Sequence, residues 1–204
     1  SEIGFFIIYD LASYFFLLSF VLIFHALITY GSILSFFRLN PIIFFRKLKE
    51  VLLFAFSTSS SSATMPLTLK TVKEKLGVDQ SVASFCIPLG ATINMDGTAI
   101  MQGIATVFIA QAYGVDLQIT DYLMVILTAT LASIGTAGVP GVGLIMLAMV
   151  LQQVGLPVEG IALIIGVDRL LDMIRTAVNV SGDSMIACII SSTQGSLNKS
   201  KFFD

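Results

Sequence analysis

The sequence predicts an all-α membrane protein with interrupted transmembrane helices and two re-entrant helical hairpins that enter the bilayer from opposite faces. Three observations lead to this fold class. Of the 204 residues, 56% are hydrophobic and 12% are charged, whereas soluble domains carry about 25% charged residues. The basic residues are confined to a few short segments, and small polar residues and glycines interrupt long uncharged stretches. No basic patch is interleaved with aromatic side chains, so we expect no nucleic-acid partner.

The positions of Lys and Arg orient the chain in the membrane. Nine of the 11 lie in three clusters, at 38–49, 70–75 and 199–201, and the positive-inside rule places all three clusters in the cytoplasm. The charged residues of the candidate external loops are all acidic, namely Asp10, Asp116, Asp121 and Glu159. Each predicted span therefore has a direction.

Residues 11–37 are predicted to form the first transmembrane helix. They include no Asp, Glu, Lys or Arg, and about 20 apolar residues are enough to cross the hydrocarbon core. His25 lies near the middle of this span. We interpret it as a histidine that packs against other helices, because neither a carboxylate nor a second histidine accompanies it at helical spacing.

Residues 41–75 are predicted to form a re-entrant hairpin on the cytoplasmic side. Basic residues flank the uncharged stretch 51–69 at both ends, so both ends lie on the same side of the membrane. The Ser- and Thr-rich centre, 57–66, is tolerated at membrane depth only where backbone lines a cavity or is buried in protein. The alternative is a flexible Ser-rich linker, which the apolar residues 54–56 directly before it argue against.

Residues 81–112 are predicted to form a second transmembrane helix that runs outward and is interrupted at 90–98. Two glycines and the polar pair Asn94 and Asp96 lie in the middle of this span. Local unwinding at this point would release carbonyl oxygens, which suit a dehydrated Na⁺.

Residues 118–156 are predicted to form a second re-entrant hairpin, entering from the external face. The uncharged stretch 122–158 would make a helix of about 55 Å, far longer than the core of about 30 Å. Its middle, 133–143, is rich in glycine, which allows a turn and a close approach of backbone to a ligand. The alternative, two short spans around a glycine turn, would require a thin membrane.

Residues 161–195 are predicted to form the last transmembrane helix, which carries a polar stripe. At about 100° per residue, six polar side chains share one face of this helix. They are Asp168, Asp172, Arg175, Thr176, Asn179 and Asp183. Ionisable groups at membrane depth cost at least about 2.5 kcal/mol each, so the stripe implies a charged solute or cations on that side. The alternative is an ion network that only holds helices together.

The order of these elements is repeated with opposite topology. In the first half, a hairpin with a tip of small residues is followed by a helix that carries Asn and Asp. The second half repeats this order, and its hairpin enters from the opposite face of the membrane. An inverted repeat of this kind places a site near the bilayer midplane, between its two halves.

Four motifs in this order resemble the glutamate transporter family, the dicarboxylate/amino acid:cation symporters. They are Ser-Ser-Ser-Ser-Ala-Thr-Met-Pro (59–66), Asn-Met-Asp-Gly-Thr (94–98), Gly-Thr-Ala-Gly-Val-Pro-Gly (135–141) and Asp-Met-Ile-Arg-Thr-Ala-Val-Asn-Val-Ser-Gly-Asp (172–183). The family is a known example of the inverted repeat. The resemblance covers only its C-terminal half, so it implies that residues 1–204 are a partial, inverted-repeat transport domain. The N-terminal scaffold helices are absent from the sequence, and we expect a fragment.

The resemblance implies a secondary active transporter, not an enzyme. Such a protein carries aspartate or glutamate with several Na⁺ by alternating access, and it needs no organic cofactor. It is a multi-pass protein of the plasma (inner) membrane, embedded in the lipid bilayer and homotrimeric at full length. The alternatives are a C4-dicarboxylate symporter, a non-functional fragment, and an intramembrane aspartyl protease with Asp96 and Asp183 as its dyad. The last lacks the Gly-x-Gly-Asp motif.

The resemblance also implies the binding residues. Asp172 would bind the α-amino group of the substrate, and the guanidinium fork of Arg175 its side-chain carboxylate. The other implied substrate contacts are Ser60, Ser61, Ser62, Thr98, Ala137, Gly138, Val139, Pro140, Gly141, Thr176 and Asn179.

Three Na⁺ sites are implied in the same way. The first combines Asp183 with carbonyls of Gly90, Asn94 and Asn179. The second combines Thr92 with carbonyls of Ser133, Ile134 and Thr136. The third uses Asp96 and the Asn94 side chain, next to Met95, and its other ligands lie in the family's N-terminal half.

The sequence departs from the family pattern at several positions, among them Ile174, where some relatives have a small residue. The first hairpin tip has Ser59 where some members have an arginine. Arg169 lies beside the stripe, and we expect it to pair with Asp168 or to act on a hairpin tip. Gln102 stands where proton-coupled animal relatives have Glu, and because an amide cannot carry a proton, we predict no H⁺ coupling through that site.

Overall fold

The computed structural model describes residues 2–204, with side chains from residue 9 onward. Within this described range every regular element is a helix and no strand occurs. The all-α prediction is therefore confirmed.

The N-terminal helix is continuous but changes its winding. It consists of α1 (Glu2–Phe24), a π-helical segment (His25–Tyr30) and α2 (Gly31–Phe36). The helix begins nine residues before the predicted span. It ends at a turn in which Arg38 has a φ of 59°, and the next helix starts behind Asn40, whose side chain accepts hydrogen bonds from the backbone N–H groups of Ile42 and Ile43.

Two pairs of consecutive helices pack against each other around short breaks. The first pair is α3 (Pro41–Thr58) and α4 (Ser61–Glu74), and the second is α7 (Ile119–Ser133) and α8 (Val142–Gln153). The break in the first pair is only Ser59 and Ser60, and Ser59 adopts a left-handed conformation with a φ of 52°. Residues 134–141 form the break in the second pair. We call these two breaks the first tip and the second tip.

Residues 81–112 fold into two helices with a short break between them. The helices are α5 (Gln80–Ile93) and α6 (Asp96–Ala112), so only Asn94 and Met95 lie outside helical structure, against the predicted 90–98. Asp79 caps α5 by accepting hydrogen bonds from backbone N–H groups of Ser81 and Val82. The hydrogen bond from the Ser81 hydroxyl, together with these backbone bonds, lowers the pKa of the Asp79 carboxyl.

The last long helix, α9 (Ile165–Thr193), lies at the centre of the fold. It packs against α1, α3, α4, α5 and α6. A 3-10 segment (Val158–Leu163) precedes it, and a short helix, α10 (Lys199–Phe203), follows it. All six members of the predicted polar stripe are buried on α9.

Two helices are long and apolar enough to cross a membrane by length and composition, Tyr9–Phe36 and Ile165–Thr193. Their settings differ. Inside the structure, 17% of the first span's most apolar window is buried, against 72% for the second. The outer surface carries many large apolar side chains, such as Phe16 and Ile145, each 69% exposed. A surface of this kind suits lipid or further protein rather than water.

Gly97 lets α6 approach α9 at the helix break. A Cβ atom on Gly97 would lie 2.9 Å from the backbone oxygen of Arg175 and 3.1 Å from Oδ1 of Asn179. The backbone N–H of Gly97 donates to the same Asn179 oxygen at 2.8 Å. Any side chain at this position would therefore push the two helices apart.

We predict that Gly97→Ala lowers stability by about 1–3 kcal/mol, the usual cost of overpacking. Gly103→Ala is the matched control on the same helix, because a Cβ there meets nothing within 4 Å among the described residues. The control should be neutral or stabilising by up to about 1 kcal/mol, since alanine favours helix. Thermal unfolding of the purified protein in detergent measures both, and equal midpoints for the two variants would contradict the prediction.

Candidate functional site

The two tips touch each other. The hydroxyl of Ser60 donates to the carbonyl of Gly138 at 2.7 Å, and the backbone N–H of Ser62 donates to the same carbonyl at 3.1 Å. A Cβ on Gly138 would lie 2.9 Å from the Ser62 hydroxyl. The contact is therefore made to the backbone of Gly138, at a point where a larger side chain does not fit.

A small cavity lies beside this contact. It is lined by residues of both tips, of the interruption between α5 and α6, and of α4, α6, α8 and α9: Ser59, Ser61, Met95, Thr98, Thr136, Ala137, Gly138, Val139, Gly143, Asp172, Thr176 and Asn179. Its volume is about 20 Å³, which holds about one water, whereas ligand pockets usually measure about 300–1,000 Å³. A larger solute fits only if the tips separate.

Most predicted substrate residues line or adjoin this cavity. Ser61, Thr98, Ala137, Gly138, Val139, Asp172, Thr176 and Asn179 line it directly. Ser60 and Ser62 form the contact between the tips. Gly141 does not line the cavity, but its backbone N–H donates a hydrogen bond to Asp172, which does. Pro140 is exposed and Arg175 lies behind Asp172, so neither lines the cavity.

Arg175 is the largest of the fully buried side chains, with 1% of its surface exposed. Its Nη1 donates to Asp168 at 2.7 Å and its Nη2 to Asp172 at 2.8 Å. The other oxygen of Asp172 accepts from the backbone N–H of Gly141 at 3.0 Å. This chain of contacts links the guanidinium to the second tip. Two carboxylates face one guanidinium, so the group as a whole carries one excess negative charge if all three are ionised.

The expected pairing of Arg169 with Asp168 is wrong. Asp168 is buried on the inner face of α9 and binds Arg175, seven residues away. Arg169 is the next residue, and its side chain is exposed and forms no ion pair with any residue that the structure describes. Neighbouring residues on a helix point about 100° apart, so the two side chains leave α9 in different directions.

The residues predicted for the first Na⁺ site gather where α5 ends. The Asn94 amide donates to Oδ1 of Asp183 at 3.0 Å. A Cβ on Gly90 would collide with the Asp183 carboxylate, which therefore lies directly against the backbone of α5. Asn179 lies one turn before Asp183 on α9 and accepts from Gly97. The carboxylate, the amides and the backbone of the break thus lie within one small volume.

The residues predicted for the second Na⁺ site meet at the second tip. The backbone N–H of Gly135 donates to the carbonyl of Thr92 at 2.7 Å, which joins this tip to the end of α5. The carbonyls of Ile134 and Thr136 accept no hydrogen bond from the described part of the chain. These two carbonyls, which lie beside Thr92, are oxygen ligands of the kind that a hard cation binds. The Ser133 hydroxyl bonds back to its own helix.

His25 contacts a carboxylate, which corrects its interpretation as a packing residue. Its Nε2 lies 3.3 Å from Oδ2 of Asp96, and the hydroxyl of Tyr30 donates to the same oxygen at 2.8 Å. The carboxylate is on α6, 71 residues along the chain, so a search for a partner within one helix could not find it. Tyr30 is not among the predicted site residues.

Two further residues at the site were not predicted. Ser59 lines the cavity, and its buried hydroxyl has no partner within the described range. Gly143, the second residue of α8, lies beside Arg175: a Cβ there would lie 3.6 Å from Nη2 of Arg175 and 3.1 Å from Cε of Met101. Gly143 belongs to the glycine-rich stretch 133–143, but the motif at 135–141 ends before it, so it is not among the predicted substrate contacts.

Gln102 is fully buried on α6, and neither atom of its amide has a hydrogen-bond partner in the part of the chain that is described. The prediction that this site carries no proton rests on the amide itself and remains a prediction.

A much larger cavity, of about 730 Å³, lies between α1, α6 and α7. Its walls are mostly apolar, and none of the predicted substrate or Na⁺ residues lines it. The polar chemistry therefore concentrates at the small cavity, despite the difference in volume.

The chain is similar in sequence to several known transporters. An excitatory amino acid transporter of Caenorhabditis elegans is 52% identical over 151 residues, which is 74% of this chain and 30% of that protein. One from Onchocerca volvulus is 51% identical over 74% of the chain and 31% of its own length. Excitatory amino acid transporter 1 of Rattus norvegicus is 49% identical over 75% of the chain and 28% of its own length. The chain thus spans less than a third of the length of these relatives.

The sequence pattern of the sodium:dicarboxylate symporter family matches residues 1–193, nearly the whole chain. The chain belongs to the sodium:dicarboxylate symporter family.

Proposed function

We propose that the protein carries an acidic amino acid, aspartate or glutamate, across the membrane together with Na⁺. One observation carries this proposal: the buried Arg175 is paired with Asp172, and Asp172 is hydrogen-bonded to the second tip. A guanidinium and a carboxylate side by side match the carboxylate and the ammonium of an amino acid with an acidic side chain. The names of the relatives support the same class of substrate.

Substrate binding would exchange one set of ion pairs for another. The side-chain carboxylate would take the place of Asp172 at Arg175, and the ammonium group would pair with the released Asp172. Arg175, Asp172 and the two substrate groups that face them then each have a partner, which avoids the penalty of about 3–5 kcal/mol for breaking a buried pair. The α-carboxylate would be held by backbone N–H groups of the two tips. Thr98, Thr176 and Asn179 would hold the remaining polar groups.

The tips would be the gates of this site. We propose that 41–75 and 118–156 are re-entrant hairpins from the cytoplasmic and external faces, related by an inverted repeat with 81–112 and 161–195. The first transmembrane helix would be 11–37. The second tip has eight residues outside helix, against two in the first, so it is the tip with more freedom to move. It would open outward and admit the substrate from outside.

Na⁺ would couple to the substrate through the second tip. Asp183, Gly90, Asn94 and Asn179 would bind one cation, and Thr92 with Ser133, Ile134 and Thr136 a second, while Met95 holds the break between them. The second group bridges the end of α5 to the second tip through Gly135. A cation bound there would hold the tip closed over the substrate. Several Na⁺ would therefore move with each amino acid, without an organic cofactor.

The setting would be that of the family. We propose a multi-pass protein of the plasma (inner) membrane, a homotrimer at full length, in which this chain is the mobile transport domain and binds no nucleic acid. A C4-dicarboxylate is the second candidate substrate, because the family's description names dicarboxylates. It would occupy Arg175 but leave Asp172 without an ammonium partner.

We predict that uptake of radiolabelled aspartate by vesicles containing the full-length protein requires an inward Na⁺ gradient. The reason is that the carbonyls of Ile134 and Thr136 and the carboxylate of Asp183 would hold the second tip closed only when cations are bound to them. Replacing the Na⁺ gradient with an equal choline gradient is the control. Equal uptake under the two gradients would rule out Na⁺ coupling.

Asp172→Asn should weaken aspartate binding by about 10- to 100-fold, since a hydrogen bond to a charged group contributes about 1.5–3 kcal/mol. Competition by succinate, which has no ammonium, should be unchanged or stronger. Asp116→Asn is the matched control, because it removes the same charge from an exposed loop. Competition against labelled aspartate in vesicles measures both. Succinate displacing aspartate more strongly than aspartate itself in the unmodified protein would favour the dicarboxylate.

A further inference from the structure

The π-helical segment brings two polar side chains to one point. His25 and Tyr30 are five residues apart, a spacing that would place them about 140° apart around an α-helix. In a π-helix the hydrogen bond joins residues five apart, so these two residues come to the same side. Their rings contact edge to face with centroids 4.7 Å apart.

Both side chains bind the same oxygen of Asp96. Tyr30 donates to Oδ2 at 2.8 Å and Nε2 of His25 lies 3.3 Å from it. Oδ1 accepts no hydrogen bond from the described side chains, residues 9–204, or from the described backbone. The Asp96 side chain keeps 38% of its surface exposed, so the carboxylate is held by one oxygen and open at the other.

Tyr30 is fixed in its place by α9. It is 1% exposed, and a Cβ on Gly182 would lie 2.8 Å from its hydroxyl and 2.6 Å from the Asn94 amide. Only a glycine in α9 leaves room for the hydroxyl here. The tyrosine therefore lies between the helix that carries Asp183 and the carboxylate of Asp96.

We propose that the π-helical segment is a positioning device for a cation site: His25 and Tyr30 hold Oδ2 of Asp96 so that Oδ1 faces a Na⁺. The inference rests on the proposed function and adds two positioning residues to it. Groups that orient a ligand of a metal are hydrogen-bonded to the ligand's other atom, and their loss typically weakens binding 10- to 100-fold. The arrangement around Asp96 has this form, with both donors on one oxygen.

The test is a calorimetric titration of the full-length protein with Na⁺, in the absence of amino acid. Tyr30→Phe should raise the Na⁺ dissociation constant about tenfold. Tyr14→Phe is the matched control: Tyr14 is equally buried, and its hydroxyl has no hydrogen-bond partner in the described structure. It should bind Na⁺ like the unmodified protein.

A second pair of variants covers the case in which Tyr30→Phe does not fold. His25→Leu should weaken Na⁺ binding in the same direction, and His25→Gln, which keeps an N–H donor, should restore part of it. A purely structural role would lower the thermal midpoint measured without Na⁺ and leave the dissociation constant unchanged, and that result would overturn the inference.

The experiments distinguish failure of the positioning role from failure of Na⁺ coupling. Na⁺ binding by the unmodified protein together with unchanged affinity in Tyr30→Phe and His25→Leu overturns the positioning role alone. Absence of any Na⁺ binding by the unmodified protein overturns both the coupling and the positioning role. A tenfold loss in Tyr30→Phe with normal binding in Tyr14→Phe supports both.

Discussion

The site depends on burying one guanidinium in a protein that belongs to a membrane family. Arg175 is enclosed almost completely, and isolated charges in such a place are too costly to persist. Asp168 and Asp172 remove that cost through direct hydrogen bonds, and each of them is in turn fixed by α9. Because Asp172 also accepts a hydrogen bond from Gly141, the same ion pairs that make the charge tolerable also hold the second tip. Under the proposed function, a change at Asp172 would therefore affect both stability and substrate binding.

Helix breaks provide the remaining polar groups. The interruption at Asn94 and Met95, together with the two tips, exposes backbone that a continuous helix would keep to itself. Close approaches bring these breaks together: Gly90 lies against Asp183, and Gly97 lies against the backbone of Arg175. A helix bundle with side chains at these positions would hold its polar groups too far apart to form one cluster.

Much of this arrangement could be predicted from residue spacing. Burial of the six-residue stripe on α9 follows from the helical repeat, and the breaks follow from runs of Ser, Gly and Asn. The contacts of single charges could not be predicted this way. Asp168 binds Arg175 rather than the adjacent Arg169, and His25 binds a carboxylate on another helix. Spacing within one helix says nothing about partners that packing supplies, and a fixed 100° per residue does not describe a π-helical segment.

The wide turn at His25–Tyr30 also determines how the first helix follows the rest of the bundle. Tyr14, Leu18, Leu22, Tyr30 and Leu34 are all buried, a row that repeats in steps of four or eight. In an ideal α-helix such a row would rotate by about 40° at every step of four, and by about 200° over its length. The slower winding in the middle offsets part of that rotation. Removing one residue there would rotate one end relative to the other, so relatives without the wide turn should align with a single gap at this point.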